Sequence, residues 1–468
     1  MKKIVLKNTL SLISLVTFIF LLVSVLKINI LSNKYLILFI MIEVVINLLG
    51  IILINLKKKV FLILGFILLL IISVVNAFGF YYLDKTNTFI DNGFSDYVVV
   101  NTDYLVITNT NNPINDIKDV NNKIYYYKYS KSIDLALKKL NKYRFESTDS
   151  ISSVLNIINN DSNNYLLISR SNYDYLMSST ILYDRNNYKI IKEFSVSYKE
   201  LKNNTVKDSY TIYLNGVDFT GVMRDFNMLV TVNTKSRQIV LTSILRGYYI
   251  DVPAYNIKDT LMCLGSLDSD VSKEALEKLF DVDIDYTFNV NTNSLVNIVD
   301  TLGGVEFCSD YDFTTTHVLT TDTYNDKNGN KLRVTKGCKN YNGKEILAIS
   351  RERLNLRDNE RGRINNCRKI LLSIGKKTLN TSTLSNYSEI LNSYSNLYTT
   401  DMNKKTVTNL FKSLIENYSD YEIIEQYPDG SDGKGMGHLG TQEVGVTIPD
   451  MNQVNTASAK IKEVLKNK

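Results

Sequence analysis

The chain reads as a mixed α/β protein carried behind three membrane-spanning helices. Three observations predict this. Apolar runs occupy residues 10–26, 35–56 and 60–83, short strands alternate with amphipathic stretches over 95–198, and a second strand-and-helix succession fills 210–468. Each apolar run is close to the roughly 20 residues that a helix needs to cross the hydrocarbon core. A cleaved signal peptide starting at Met1-Lys2-Lys3 would explain the first run alone, but no small-residue cleavage site follows it and two further runs do. The 468 residues exceed what one core ordinarily organises, so more than one domain follows the spans.

Lysines set the expected orientation. Lys2, Lys3 and Lys7 precede the first span and Lys57, Lys58 and Lys59 separate the second from the third, with only Lys27 and Lys34 on the intervening loop. The excess of basic residues on cytoplasmic segments then puts the amino terminus in the cytoplasm and residues 84–468 outside the cell membrane. Glu43 lies inside the second span, where an ionisable group is costly, and a polar contact between spans or a neutral carboxyl accounts for it.

The net charge of +6 divides unevenly: residues 1–83 carry +7 and the remainder −1. The outer portion therefore offers no long basic face, which argues against a nucleic-acid partner. The only histidines are His317 and His438. That excludes a histidine-rich zinc site and argues against a Ser-His-Asp hydrolase. Cys263, Cys308, Cys338 and Cys367 form no CxxC pair, and an even count outside the cell permits disulfides. Cys308 and Cys338 bracket a polar excursion with a hairpin turn at Asp326-Lys-Asn-Gly-Asn330, so these two are expected to pair. Cys263 and Cys367 read equally well as buried thiols.

In the first outer region, 97–100, 104–107, 124–127 and 165–169 read as strands, and 133–142 and 151–159 as helices. Such alternation implies an α/β layer. The polar stretch 199–209 marks the boundary. Beyond it, strands are expected at 228–232 and 239–244 and helices at 272–280, 293–302, 343–350, 361–377 and 404–418, giving a mixed sheet between helices.

Arginine carries the chemistry. The chain holds 13 Arg among 54 basic residues, yet Arg351, Arg353, Arg357, Arg361, Arg363 and Arg368 fall in one short window. Arginine's planar fork grips phosphate or carboxylate at two points, which lysine cannot do. Arg361, Asn365 and Arg368 recur on one helical stripe, while Ile364, Cys367, Leu371 and Ile374 form a second that can bury. The helix dipole and the guanidinium groups then point at one place suited to a pyrophosphate. Arg357 and Arg368 read instead as a solvated face. Asp218 and Asp225 flank a short loop containing Gly221, and paired carboxylates near guanidiniums suit a magnesium ion shared with phosphate oxygens. Alone, such aspartates more often cap turns.

Successive blocks resemble the LytR-CpsA-Psr domain over about residues 210–468. They are Tyr213-Leu-Asn-Gly-Val-Asp218, Asp225-Phe-Asn-Met-Leu-Val-Thr-Val-Asn233, Leu241-Thr-Ser-Ile-Leu-Arg246 and Val299-Asp-Thr-Leu-Gly-Gly-Val305, then Asn342-Gly-Lys-Glu-Ile-Leu-Ala-Ile-Ser-Arg-Glu-Arg353, Asp358-Asn-Glu-Arg-Gly-Arg363 and Ile448-Pro-Asp450. The spans and the region before the domain resemble the CpsA-like branch, whose accessory domain looks like half of a periplasmic solute-binding protein. The resemblance implies transfer of a polyprenyl-pyrophosphate-linked glycopolymer, such as a teichoic acid or capsule, to a peptidoglycan sugar hydroxyl. It implies Asp218 and Asp225 as Mg2+ ligands and Arg246, Arg351, Arg353 and Arg361 as pyrophosphate-gripping groups. Asp358 would orient an arginine or accept a proton, with Arg224, Arg363 and Asn365 as further substrate contacts. The membrane lipid's polyprenyl tail would lie in an apolar channel between sheet and helices. Met223, Thr220 and Gly247 depart from the family's usual residues, with Arg224 beside Met223 able to substitute. A non-catalytic lipid-phosphate or glycan-binding protein and a membrane regulator of envelope synthesis are the two rival readings.

Overall fold

Three long apolar helices lead the chain: α1 (Lys2–Ile28), α2 (Asn33–Asn55) and α3 (Lys59–Gly93). The computed structural model describes residues 2–29, 31–94, 97–128, 131–148, 151–179, 184–202, 207–217, 223–267, 269–318, 331–378, 398–417 and 420–466. Between the helices, the Glu43 carboxylate accepts from Asn47 Nδ2 at 3.3 Å and Asn76 Nδ2 at 3.2 Å, and the Ser14 hydroxyl donates to Asn47. Glu43 thus makes a polar link between the second and third helices. α3 runs 35 residues, about 52 Å at 1.5 Å per residue, against a hydrocarbon core of roughly 30 Å. Its apolar run stops at Leu83, but the helix continues because Thr86, Asn87 and Ile90 are buried on protein. Ile90 and Phe94, with Ile28, pack on Tyr210, Ile212, Val232 and Tyr286, and Asp91 bridges Lys27 at 3.1 Å and Lys404.

Next comes a five-stranded sheet of order β3-β2-β4-β1-β5, built from β1 (Tyr97–Asn109), β2 (Ile124–Tyr126), β3 (Phe145–Ser147), β4 (Tyr165–Ser169) and β5 (Tyr188–Leu201). Helices α4 (Lys131–Lys139), α5 (Ile151–Asn160) and α6 (Arg170–Ser179) connect it. The two strands expected at 97–100 and 104–107 are one strand. Between them Asn101 and Asp103 face solvent, where Asp103 accepts from Ser195 and Asn101 from Ser197, both at 2.6 Å, while Thr102 is buried. One sheet face packs with α4 through Tyr104, Val106, Ile133 and Ala136. The other, through Leu105, Ile107, Leu166 and Ile168, is continuous with the core of the following domain.

That domain is built on a six-stranded mixed sheet of order β16-β11-β6-β7-β8-β17. Its strands are β6 (Ser209–Val217), β7 (Arg224–Asn233), β8 (Gln238–Ile244), β11 (Tyr286–Asn291), β16 (Tyr398–Thr400) and β17 (Glu422–Gln426), and the hairpin β9 (Tyr249–Val252) and β10 (Ile257–Thr260) follows β8. One face carries Tyr213, Leu229, Val240 and Ile244 against α7 (Ser269–Phe280) and the C-terminal helix Met451–Lys466. The other meets the helix Lys404–Asn417 and the end of α3 through Met402, Val407 and Ile90.

A satellite layer holds α8 (Thr292–Thr301), β12 (Val305–Ser309), β13 (Phe313–Val318), β14 (Lys331–Val334), β15 (Gly337–Tyr341), α9 (Gly343–Arg351) and α10 (Asn359–Thr378). Gly304 is fixed by its surroundings: φ is +83°, and a Cβ would lie 2.5 Å from Asn340 Nδ2. Cys308 and Cys338 face each other across β12 and β15 with Cα atoms 3.9 Å apart and are joined by a disulfide. The turn at 326–330 lies outside the described residues. Cys263 is a buried thiol and Cys367 a half-buried one. Burial pushes the Cys367 thiol up to about 11, so it stays protonated and inert.

Candidate active site

A bulge organises the site. In the β6–β7 ladder Gly216 pairs with Phe226 but Val217 pairs with Arg224, so Asp225 is the extra residue. Bulges re-aim a side chain at a strand's end, and here Asp225 is turned toward Arg246, whose Nη1 donates to its carboxylate. Arg246 Nε lies 3.2 Å from Glu360, in the first turn of α10. Glu360 in turn takes Arg363, through Nε at 3.1 Å and also through Nη2. Arg363 Nη2 further donates to the Asp225 carbonyl at 2.6 Å. Two carboxylates and two guanidiniums thus close a cradle at the end of the sheet. Burial disfavours the Arg363 cation, but Glu360 more than offsets this and raises its pKa.

The rest of the arginine window divides. Arg361 is exposed and its Nε donates to both oxygens of Asp429, at 2.8 and 2.7 Å, with Nη2 on the Gly430 carbonyl at 3.0 Å. The hydrogen bond from Arg361 holds the Asp429 carboxyl below its ordinary value. Arg351 ends α9 and Arg353 stands two residues beyond it, exposed and, among the described residues, in no ion pair. Between them Glu352 is buried and accepts from Thr316 Oγ1 and the Asn355 amide, both at 2.9 Å. That anchor pins the chain between the two arginines, where helix α9 gives way to the loop that bears Arg353. Asp358 is exposed and its charge favours the Arg361 cation.

One of the two arginines expected on a solvated face is exposed and the other is not. Arg368 is not on a solvated face: it pairs with Glu425, and its Nη2 donates to Asn365 at 2.6 Å. Asn365 is therefore held by Arg368. Arg357 is exposed but lies over the Tyr311 ring, 4.3 Å from its centroid. Within α10, Ile370 takes the deep position in place of Leu371, while Ile364 is buried as its stripe requires.

Arg224 does not join the Asp225 cradle. It is buried, donates to Asn215 and, at 3.2 Å, to Asn289, and its Nε has no partner among the described residues. Asp218 lies outside the described residues, immediately after the Val217 that Arg224 faces in the register. For magnesium, the donor chemistry fits. Asp225 offers carboxylate oxygens, and Mg2+ is ordinarily held by one or two carboxylates plus substrate phosphates. The partners Glu360, Asp429 and Glu425 were not singled out in the sequence. Only Glu360 left a signal there, three residues before Arg363 on one helix.

A model of the LytR_cpsA_psr family matches residues 176–448, more than half of the chain. The polyisoprenyl-teichoic acid–peptidoglycan teichoic acid transferase TagU of Enterococcus faecalis is 25% identical over 222 residues, 46% of this chain and 68% of that protein. The biofilm regulatory protein A of Streptococcus mutans is 25% identical over 224 residues, 43% of this chain and 54% of that one. Among solved structures, TagU of B. subtilis is 23% identical and covers 56% of this chain and 99% of its own, with a TM-score of 0.43. The chain belongs to the LytR_cpsA_psr family.

Proposed function

We propose that this protein transfers a glycopolymer from a polyprenyl-pyrophosphate carrier to a peptidoglycan sugar hydroxyl. One observation carries the reading. The closed cradle of Asp225, Arg246, Glu360 and Arg363 leaves Arg353, Asp358 and Arg361 exposed on the adjoining loop and helix start. A family relative named as a teichoic acid transferase supports the same class of substrate.

In this reading the exposed arginines grip the pyrophosphate oxygens in two-point contacts. Asp225 and Asp218 would hold a magnesium ion, which supplies charge neutralisation to phosphate oxygens. Asp358 takes the proton of the acceptor hydroxyl as that oxygen bonds to the sugar-side phosphorus. The bond from this phosphorus to the bridging oxygen breaks, and polyprenyl phosphate leaves. Positioning and charge stabilisation supply most of the catalysis in such transfers. Half-buried Leu214, Phe226, Val230 and Phe288 offer an apolar surface to the polyprenyl tail. The three apolar helices anchor the chain, with the amino terminus cytoplasmic and residues 84–468 outside.

The test is release of polyprenyl phosphate from a short lipid-linked donor by the full chain in detergent, with and without magnesium. Magnesium-dependent release, weakened in Asp225→Asn, is expected. Donor binding without any release would make the protein a lipid-phosphate binder instead.

A further inference from the structure

In the sheet before the LytR_cpsA_psr domain, β2, β3 and β4 are parallel and lie in the order β3-β2-β4. The chain leaves β2 toward one neighbour and returns on its other side. α4 and α5 accordingly cover opposite faces, as their separate cores show through Ile133 and Ile158. The gap between the carboxyl ends of β2 and β4 is therefore a topological switch point, the place where open α/β sheets take their ligands.

In this protein that gap is filled by the chain itself. Tyr127, the first residue after β2, stacks on Tyr255 with centroids 5.8 Å apart and planes 23° from parallel, and its hydroxyl donates to the Ala254 carbonyl at 2.9 Å. Asn172, in the first turn after β4, donates to the Tyr255 hydroxyl at 3.3 Å. Tyr255 is fully buried. It stands at the tip of the β9–β10 hairpin, where Pro253–Tyr255 form a single tight turn closed by left-handed Asn256. The base of the same hairpin holds Arg246. The Met262 amide donates to the Arg246 carbonyl, and the Leu261 amide to that of Tyr248, both at 2.9 Å.

We infer that the switch-point crevice of the accessory sheet is a receptor for the chain's own Ala254–Tyr255 tip, and that through this hairpin the accessory domain positions Arg246. Tyr255, Tyr127 and Asn172 are positioning residues, with no contact to the reacting atoms. A small solute reaches the crevice only by displacing Tyr255. The link to Arg246 rests on the transferase reading, whereas the occupancy of the crevice does not.

Hydrogen exchange on the full chain in detergent tests this, comparing wild type with Tyr255→Ala, Tyr255→Phe and the pair Tyr127→Phe with Asn172→Ala. Loss of the buried ring should speed exchange by about a hundredfold or more at the Leu261 and Met262 amides and at residues 172–176 together. Tyr255→Phe, which loses one long hydrogen bond, should change the same amides by about fivefold or less and restore turnover toward wild type. Should Tyr255→Ala fail to fold, the crevice-side pair must show the same joint acceleration in milder form. Faster exchange confined to residues 253–256, with Leu261, Met262 and 172–176 at wild-type rates, overturns the inference. If the wild type lacks turnover, the transferase reading fails while the exchange result still decides the brace.

Discussion

Arg363 and Arg361 sit two residues apart on one helix and live in different physical worlds. Arg363 has 6% of its side chain exposed and is closed in by Glu360 and the Asp225 carbonyl. Arg361 has 46% exposed and holds a single carboxylate, Asp429, at the surface. An exposed pair of this kind is worth about 0–1 kcal/mol, so its guanidinium is cheaply shared with an incoming phosphate. A buried pair is different in kind, because removing one partner strands the other's charge. The arginine window is thus two devices: a cradle that holds strand, loop and helix together, and a rim free to work.

The largest expected effect is on the cradle. Arg363→Met should lower stability by about 3–5 kcal/mol, measured by denaturant unfolding. Adding Glu360→Gln should then cost less than it does in the wild type, because its pairing with Arg363 is already gone and only that with Arg246 remains. Additive losses would show that the two residues do not act as a pair. The satellite layer gives the next effect. Replacing Cys308 and Cys338 by Ser opens a loop closed across 30 residues, and should cost about 3–4 kcal/mol in the chain-entropy account. Equal unfolding midpoints for oxidised and reduced wild type would contradict this.

A smaller effect separates cradle from scaffold by pH. Burial raises the Asp259 carboxyl from 3.8 to about 6, with backbone bonds from Leu439 and Thr260 opposing the shift. Its folded value lies above its unfolded one, so its stabilising contribution is full below pH 3.8 and is lost as pH rises through about 6. Melting temperatures of wild type relative to Asp259→Asn should fall across that window. A constant difference would remove Asp259 as the cause.

How much was legible depended on whether the signal was local. The apolar spans, the strand Tyr165–Ser169 and the helix Gly343–Arg351, with its Asn342 and Glu345 capping box, carry their reasons within a few residues. The hairpin β18 (Gly430–Gly437) and β19 (Gln442–Pro449) did not read as strands, because glycine is a poor strand former. Its glycines answer to distant neighbours: a Cβ at Gly435 would fall 2.7 Å from the Tyr249 ring. The arginine cluster was visible as composition, but its division was not. Asp429 meets Arg361 from 68 residues away, and the bulge that turns Asp225 exists only once β6 and β7 are paired.

The most direct measurement sets Arg361→Lys against Arg357→Lys in polyprenyl phosphate release from a lipid-linked donor. Both changes keep the charge, so long-range attraction is held constant while the two-point grip is lost. The account predicts that Arg361→Lys loses about tenfold or more, a charged hydrogen bond being worth about 1.5–3 kcal/mol. Arg357, lying over Tyr311, should stay within about fivefold of wild type when replaced by Lys. Equal turnover in the two variants would contradict the account, because the rim would then be mere surface charge.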